Sequence, residues 1–243
     1  MGYEFDHLVI TVRDRMDQAT KLFHSLRFNL TPLAQHNLGS CNRLAVLDNS
    51  YIELLGWEPG SPSVRKEIAD EPYGLNALVF RTANADSSYQ RLKDLGFAPN
   101  PVQDLTRPVE IGKETKLAMF KAVRFANQPI PGIRLYFCEH LTPQYVWREE
   151  DMQHQNMLST LREIVLSSSE PNKVYSQLMK LVQEEAFQPP KDQDLGGDNF
   201  EIRLKNCLIK IVYAEGNHLA KISTCRIESS DGGKNLEIKA ADF

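Results

Sequence analysis

Strand-like and helix-like segments follow one another in this chain in an order that returns, and this limits the folds open to it. Residues 5–12 are rich in β-branched residues, and a helical pattern of apolar residues follows them. Three further strand-like segments come next, separated by turn residues. The same order begins again at residue 75, where Phe97 follows its strand at the distance at which Phe28 follows the first. The sequence therefore predicts two βαβββ modules related by a shift of 69 residues.

A weaker third copy is predicted over residues 159–243. Residues 161–166 are strand-like, Pro171 is placed to begin a helix, and three strand-like segments follow. Residues 183–198 are predicted to form a loop, and the glycines at 232–233 a turn beyond which the tail frays. The third unit is therefore expected to be a degenerate βαβββ module.

The modules are expected to pair, because the single helix of each module covers only one face of its sheet. The pair comprises residues of about 1–60 and 73–143 within a unit spanning 1–150, and the polar residues 144–158 connect it to the third module at 159–243. Two paired, curved sheets would form a cup, which is a natural place for a small-molecule ligand. The predicted fold class is α+β, with a cup-shaped sheet made by the first two modules.

Composition excludes several classes of function. The net charge is −4 and no basic stripe is present, which argues against a nucleic-acid partner. The longest apolar runs are too short to span a membrane. The four cysteines are far apart in sequence, so buried free thiols are favoured over disulfides or a zinc site. Since the N-terminus lacks the pattern of a signal peptide, the cytoplasm is the expected compartment.

Strand alternation predicts which side chains face the cup. In the first strand, Leu8 and Ile10 share the face that the helix covers, so His7 and Thr11 point the other way. In a later strand, Glu53 likewise lies opposite the apolar residues. A carboxylate there is costly to bury unless it is paired or bound to a metal. Imidazole and carboxylate groups are ligands of divalent cations, so His7 and Glu53 are predicted to share one ion.

Four segments carry a resemblance to a known superfamily. Residues 5–10 and 51–56 resemble the opening module of glyoxalase-like proteins in the vicinal oxygen chelate superfamily, which includes glyoxalases, bleomycin resistance proteins and extradiol dioxygenases. Residues 36–42 and 139–147 resemble one glyoxalase-like branch of it. The resemblance covers about residues 4–150. It implies a lyase, isomerase or dioxygenase that uses Zn, Ni, Mn or Fe(II) to chelate a substrate with vicinal oxygen atoms.

In that superfamily, the metal ligands come from the first and last strands of the two paired modules. The resemblance assigns the first-module ligands to His7 and Glu53. The corresponding second-module positions fall on Asn76, or on Ala77 if the register slips, and near Tyr136. Half of the ligand pattern is therefore matched.

Glu139, three residues after Tyr136, is expected to replace the missing ligand only if a bulge re-aims it. His36 and His140 are predicted to join Glu53 as catalytic residues, with turn architecture as the alternative role for His36 and a structural role as that for His140. The pocket that holds the substrate is predicted to include Thr11, Asn42, Tyr51, Asn76 and Tyr136.

Two functions remain open at this point. One is a metal-dependent enzyme, and the other is a metal-free protein that binds or sequesters a small molecule in the same cup. Modules of this superfamily pair within one chain or between chains, so a homodimer is also open.

Overall fold

Two β-sheets carry the fold. The computed structural model describes residues 3–60, 63, 65–182, 199–216 and 219–243. The strands are β1 (Glu4–Arg13), β2 (Ala34–Gln35), β3 (Cys41–Val46), β4 (Tyr51–Gly56), β5 (Gly74–Arg81), β6 (Gln103–Ile111), β7 (Glu114–Arg124), β8 (Arg134–His140), β9 (Leu158–Ser168), β10 (Asn199–Arg203), β11 (Leu208–Tyr213), β12 (Lys221–Ser229) and β13 (Asn235–Lys239). The helices are α1 (Met16–Ser25), α2 (Lys66–Ala69), α3 (Ala85–Asp94), α4 (Glu149–Met152) and α5 (Pro171–Val182), with 3₁₀ turns at Pro143–Tyr145 and Ala240–Asp242.

The first sheet has eight strands in the order β2-β3-β4-β1-β5-β8-β7-β6. Its two halves are the paired modules, which meet where β1 and β5 run antiparallel. The sheet curves until its ends approach each other, because the backbone N–H of Asn37 donates to the carbonyl of Thr106 at 3.1 Å. Its concave face is the cup. The predicted α+β fold with two modules in a cup-shaped sheet is confirmed.

Alternation along the strands separates two apolar clusters. Leu8 and Ile10 of β1 belong to the larger cluster, beneath α1 and α3, whereas Val9 belongs to the cluster that lines the cup. The same split holds in β8, where Phe137 lies on the helix side and Tyr136 on the cup side. The cup therefore has an apolar framework in which each polar side chain is an exception.

The strand register between the modules differs by one residue from the prediction. β4 pairs with β1 so that Glu53 lies opposite Val9, and β8 pairs with β5 so that Tyr136 lies opposite Val79. The shift between Val9 and Val79 is 70 residues, whereas α1 and α3 begin 69 residues apart. Ala77, and not Asn76, therefore occupies the position that His7 holds in the first module.

A β-bulge in each central strand causes the slip. The ladder between β1 and β5 passes over Asp6 on one strand and Asn76 on the other. Phe5 and Leu8 consequently face the same helix-side cluster although they are three residues apart. The bulge turns Asp6 toward the side chains of the cup.

The third unit is degenerate, as expected. Its five-stranded sheet has the order β10-β11-β9-β12-β13, in which β11 is parallel to β9 and β12 is antiparallel to it. Its core residues join the helix-side cluster of the first sheet, so the unit packs on the outer side of the cup. Residues 183–198, predicted to form a loop, lie outside the described residues.

Three strand predictions need correction. The tail beyond 232–233 does not fray, because residues 235–239 form β13 and pair with β12. The strand β6 was not predicted, since its mostly exposed side chains give little alternation of apolar residues. The strand expected over residues 30–35 is reduced to Ala34–Gln35.

All four cysteines are buried and free, which confirms the prediction made for them. Within the described part of the chain, no helix has the length and apolar character needed to cross a membrane.

Candidate functional site

The cup contains a small cavity with polar walls. Its volume is about 30 Å³, which is room for about two water molecules. The polar side chains along it include His7, His36, Glu53, Arg107, Arg124 and Tyr136. His7 comes from β1 and Glu53 from the adjacent parallel strand β4, so both face the cavity. Nε2 of His7 lies 3.7 Å from Oε2 of Glu53.

The carboxylate of Glu53 is held at one oxygen only. The side-chain amide of Asn42 donates to Oε1 at 2.7 Å, and Nε2 of His36 lies 3.9 Å from the same oxygen. Oε2 accepts no hydrogen bond from the described residues. Burial would raise the pKa of Glu53, but the neighbouring His7 and His36 and the Asn42 hydrogen bond outweigh burial and keep the pKa below its usual 4.5. Glu53 is therefore ionised at neutral pH.

His36 is a neutral imidazole at neutral pH. Its Nδ1 is 2.9 Å from the hydroxyl of Ser40, which also accepts a hydrogen bond from Arg65 at 3.0 Å. Burial lowers the pKa of His36 to about 4, and the charges of Arg65, Arg107 and Arg124 act in the same direction against the attraction of Glu53. The predicted turn role and the predicted site role of His36 are thus combined in one residue.

His7 is fixed by contacts at both ring nitrogens. Nδ1 donates to Oδ2 of Asp6 at 2.7 Å, and Nε2 lies 2.9 Å from the hydroxyl of Tyr136. The ring also stacks on Tyr51, with centroids 4.3 Å apart. Burial would raise the pKa of Asp6, but His140 and His7 hold it well below the usual value. Because ionised Asp6 takes the Nδ1 proton, neutral His7 presents a lone pair at Nε2 and Tyr136 donates to it.

Asp6 is also the centre of a cluster behind the cavity. Nε2 of His140 donates to Oδ2 of Asp6 at 2.9 Å, and Nε of Arg81 donates to Oδ1 at 2.8 Å. Asp6, Cys138 and His140 bring three potential metal-ligand atoms within 4.8 Å of one another, the one such group of His, Cys, Asp and Glu in the described ranges. Burial and the charge of Asp6 raise the pKa of Cys138 well above its usual value, so its sulfur is a protonated thiol. Arg81 already supplies the positive charge that the carboxylate attracts.

The second-module half of the cup is cationic. Arg124 ends β7 and Arg134 begins β8, and their guanidinium carbons lie 5.3 Å and 5.9 Å from the centre of the Tyr136 ring. Arg107 of β6 is 4% exposed and forms no hydrogen bond or ion pair with the described residues. Burial lowers the pKa of all three guanidiniums, which nevertheless stay charged at neutral pH. The cup therefore holds one carboxylate at one end and an excess of guanidinium groups at the other.

Comparison with known proteins agrees with this architecture. Residues 5–182 match the family described as the glyoxalase-like domain. The chain belongs to the glyoxalase-like domain family. It is thus a member of the vicinal oxygen chelate superfamily, and the predicted resemblance is confirmed. No curated protein matches the sequence.

Solved structures resemble this glyoxalase-like protein at low sequence identity. A hypothetical protein from Staphylococcus aureus is 14% identical, with a TM-score of 0.69 over 96% of this chain and 93% of that one. A variant of Streptomyces coelicolor methylmalonyl-CoA epimerase, in complex with 2-nitronate-propionyl-CoA, is 18% identical over 58% of this chain and 99% of its own, with a TM-score of 0.41. A xylose isomerase-like TIM barrel/4-hydroxyphenylpyruvate dioxygenase fusion protein is 16% identical over 98% of this chain and 32% of its own, with a TM-score of 0.46. The first similarity supports the fold of the whole chain.

The ligand pattern implied by the superfamily does not fit the second module of this glyoxalase-like protein. Ala77 stands where a ligand is expected and has no donor atom. Tyr136 stands at the other position, where burial and Glu53 raise the pKa of its hydroxyl above the usual 10 and keep it protonated. Glu139 does not replace it, because its carboxylate accepts from the backbone N–H of Ala85 at the start of α3. Of the expected four-ligand set, His7 and Glu53 alone are present.

The other predicted pocket residues divide into two groups. Asn42, Tyr51 and Tyr136 line the cavity together with His7, His36 and Glu53. Thr11, Asn76 and His140 do not line it. Asn76 sits in its bulge and donates to Glu71 at 2.6 Å, and His140 packs behind His7 against Asp6. Thr11 is buried, and its hydroxyl has no partner among the residues described.

Sequence reasoning missed two features of the site. Asp6 lies within a motif that carries the resemblance, but no role was predicted for it, because strict alternation assigns it to the face opposite His7. Its signal was the pair Phe5 and Leu8, two large apolar residues three positions apart in one strand. Arg124 and Arg134 were also missed, although alternation from Tyr136 would have placed Arg134 on its face.

Proposed function

We propose that this protein catalyses proton transfer on a small carbonyl compound, as an isomerase or lyase, with Glu53 as the general base. The observation that carries the proposal is the state of the Glu53 carboxylate. Asn42 holds Oε1, while Oε2 faces the cavity without a hydrogen-bond donor from the described residues. An ionised, oriented and partly desolvated carboxylate oxygen suits the removal of a proton from carbon.

The chemistry assigned to Glu53 is a balanced exchange of one proton. Oε2 takes the proton from the carbon next to the carbonyl group, and the C–H electron pair moves into the new C–C double bond of an enolate. Glu53 becomes a neutral acid and then returns the proton to the same carbon or a neighbouring one. Return to the same carbon from the other face gives an epimer, and return to the neighbouring carbon gives an isomer.

Tyr136 is the group best suited to stabilise the enolate oxygen. Its hydroxyl lines the same cavity and is protonated at neutral pH. Asp6 fixes the tautomer of His7, and His7 in turn orients the Tyr136 hydroxyl at 2.9 Å. A hydroxyl donor preorganised in a buried site stabilises a developing negative charge more strongly than water does.

The metal-dependent form of the prediction has less support in the donor set. His7 and Glu53 supply an imidazole and a carboxylate 3.7 Å apart, but Ala77 and Tyr136 do not complete the set. We therefore assign no step to a metal. Binding or sequestration without chemistry is the second candidate function, and it is favoured by Arg107, whose guanidinium in the cavity wall is unpaired among the described residues.

Solvent exchange tests the proposal even while the physiological product is unidentified. Pyruvate, 2-oxobutyrate and dihydroxyacetone would be incubated with the protein in D2O, and loss of the C–H signal next to the carbonyl would be followed by proton NMR. Wild-type protein is expected to accelerate exchange of at least one probe. Glu53→Gln keeps the shape and the Asn42 contact, and it should slow that exchange about a hundredfold or more.

Glu163→Gln is the matched control, because Glu163 is a largely buried carboxylate of β9 that pairs with Lys210 at 2.7 Å, outside the cup. Its exchange rate should equal that of the wild type. Equal rates for wild type and Glu53→Gln would remove Glu53 as the base. Binding of probes without any exchange would favour the sequestration function.

A further inference from the structure

We infer that Arg124 and Arg134 form a subsite for a compact oxyanion, a carboxylate or phosphate group carried by the substrate. This inference rests on the proposed function of the cup and names the class of molecule that enters it. A small carbonyl compound with an attached carboxylate or phosphate would place its reactive carbon toward Glu53 and its anionic group toward the two guanidiniums.

The first argument is the absence of counterions. Neither Arg124 nor Arg134 forms an ion pair with any carboxylate of the described residues. Arg124 has one hydrogen bond, from its guanidinium to the neutral side chain of Gln103 at 2.6 Å. Nε and one terminal nitrogen of Arg134 are buried with no partner in the part of the chain described. Buried charges of this kind are usually paired, because an unpaired charge is costly to remove from water.

The second argument is that like charges are brought together. Both guanidiniums lie over the ring of Tyr136, and Arg65 is close enough to affect both. Arg124 is 8% exposed and Arg134 is 6% exposed, so water screens their repulsion poorly. The chain as a whole is acidic, with a net charge of −4, so this concentration of positive charge is local. An anion between the guanidiniums would offset their repulsion.

The third argument is the position relative to the reactive groups. Arg124 lines the cavity that also contains Glu53 and the Tyr136 hydroxyl. Arg134 shares the cup face of β8 with Tyr136, two residues away, and its charge reaches Glu53. A guanidinium has the planar shape that binds carboxylate and phosphate oxygens in pairs. Because the cavity is only about 30 Å³, the subsite favours small oxyanions over bulky ones.

Binding of simple anions tests this inference separately from catalysis. Acetate and inorganic phosphate would be titrated into the full chain at constant ionic strength, with chloride as the balancing ion, and followed by calorimetry and thermal unfolding. Wild-type protein should bind at least one of the two and unfold at a higher temperature in its presence. The anion that binds identifies the group as carboxylate or phosphate.

Arg134→Met removes the charge and keeps much of the apolar length. We expect its anion affinity to fall about tenfold or more, since charge-assisted hydrogen bonds are lost. Without anion, its unfolding temperature should equal or exceed that of the wild type, because a buried charge without a counterion among the described residues is gone. Arg124→Met should weaken the same binding, and it serves as the second variant if Arg134→Met does not fold.

Arg162→Met is the control, since Arg162 is a half-exposed arginine of β9 that pairs with Glu228 outside the cup. It should bind anions as the wild type does. The inference is overturned if neither anion binds the wild type, or if Arg134→Met and Arg124→Met keep wild-type affinity. Glu53→Gln should retain or tighten anion binding, so a failed proton exchange with intact anion binding would remove the proposed function alone.

Discussion

The hydroxyl of Tyr136 donates a hydrogen bond to Nε2 of His7 at 2.9 Å, across the junction of the two modules. Tyr136 occupies in β8 the position that Glu53 occupies in β4. The second module thus presents a hydroxyl donor where the first presents a carboxylate. This exchange of one residue type for another separates a cup suited to a proton and an anion from one suited to a metal ion.

Removal of that hydroxyl should cost stability as well as activity. Tyr136→Phe leaves the buried Nε2 of His7 without its donor, which we expect to lower the free energy of unfolding by about 1–3 kcal/mol. Tyr213→Phe is the control, because Tyr213 is 49% exposed on β11. Urea unfolding measures both, and equal values for the two variants would show that the Tyr136 contact contributes nothing.

Restoring the missing ligand types should create a metal site. The double variant Ala77→His with Tyr136→Glu supplies the imidazole and carboxylate that the second module lacks, opposite His7 and Glu53. We expect it to bind about one Zn or Ni ion per chain with an affinity at least about tenfold above that of the wild type. Calorimetry measures the gain, and the same variant carrying Glu53→Gln should lose it. Unchanged affinity in the double variant would contradict the assignment of these positions.

Stability should depend on pH through His36. The folded pKa of about 4 lies below the ordinary 6.5, so the unfolded chain binds more protons than the folded chain between these values. The contribution is therefore complete above pH 6.5 and is lost as the pH falls toward 4, by about 3 kcal/mol in total. Asp6 and Glu53, whose pKa values are also lowered, add losses of the same sign at lower pH.

The variant His36→Gln isolates this effect, because it should flatten the fall in unfolding free energy between pH 6.5 and 4. His24→Gln, at an exposed position of α1, should leave the fall unchanged. Urea titrations at several pH values measure the slopes. A His36→Gln slope equal to that of the wild type would mean that His36 titrates normally in the folded state.

The third unit should support the site through Asn206. Its side chain accepts from the backbone N–H of Phe5 at 2.9 Å and donates to the Phe5 carbonyl at 2.8 Å, beside the bulge at Asp6. Asn206→Ala would leave two backbone groups unpaired, so we expect a loss of about 2 kcal/mol in unfolding free energy. It should also weaken the Asp6 contact to His7, which NMR of the His7 ring protons would report. Asn235→Ala, at an exposed residue of β13, should change neither quantity.

Alternation was sufficient to predict the first half of the site from sequence. His7 and Glu53 stand out because a polar side chain in an apolar strand breaks a period of two, and the two paired strands are close in sequence order. The second half depended on the offset between modules. A single bulge at Asn76 changes the residue equivalent to His7 from Asn76 to Ala77, and no sequence pattern marks that bulge.

The cationic half was hidden for a different reason. Arg107 and Arg124 lie on the last two strands of the sheet, and their burial arises because the sheet curves until β6 meets β2. In the sequence they resemble ordinary surface arginines. Arg43, whose guanidinium fork could bind an anion, instead donates to the carbonyl of Thr31 and does not line the cavity. Burial produced by closure of a sheet is a tertiary property that local patterns do not carry.

The most direct measurement is the rate of carbon–hydrogen exchange by protein that has been dialysed against a chelator. The account predicts that exchange of a small 2-oxo acid in D2O persists after chelation, is unchanged by added Zn, Ni, Mn or Fe(II), and is lost in Glu53→Gln. Exchange that disappears on chelation and returns with one of these metals would contradict it, as would exchange that survives in Glu53→Gln.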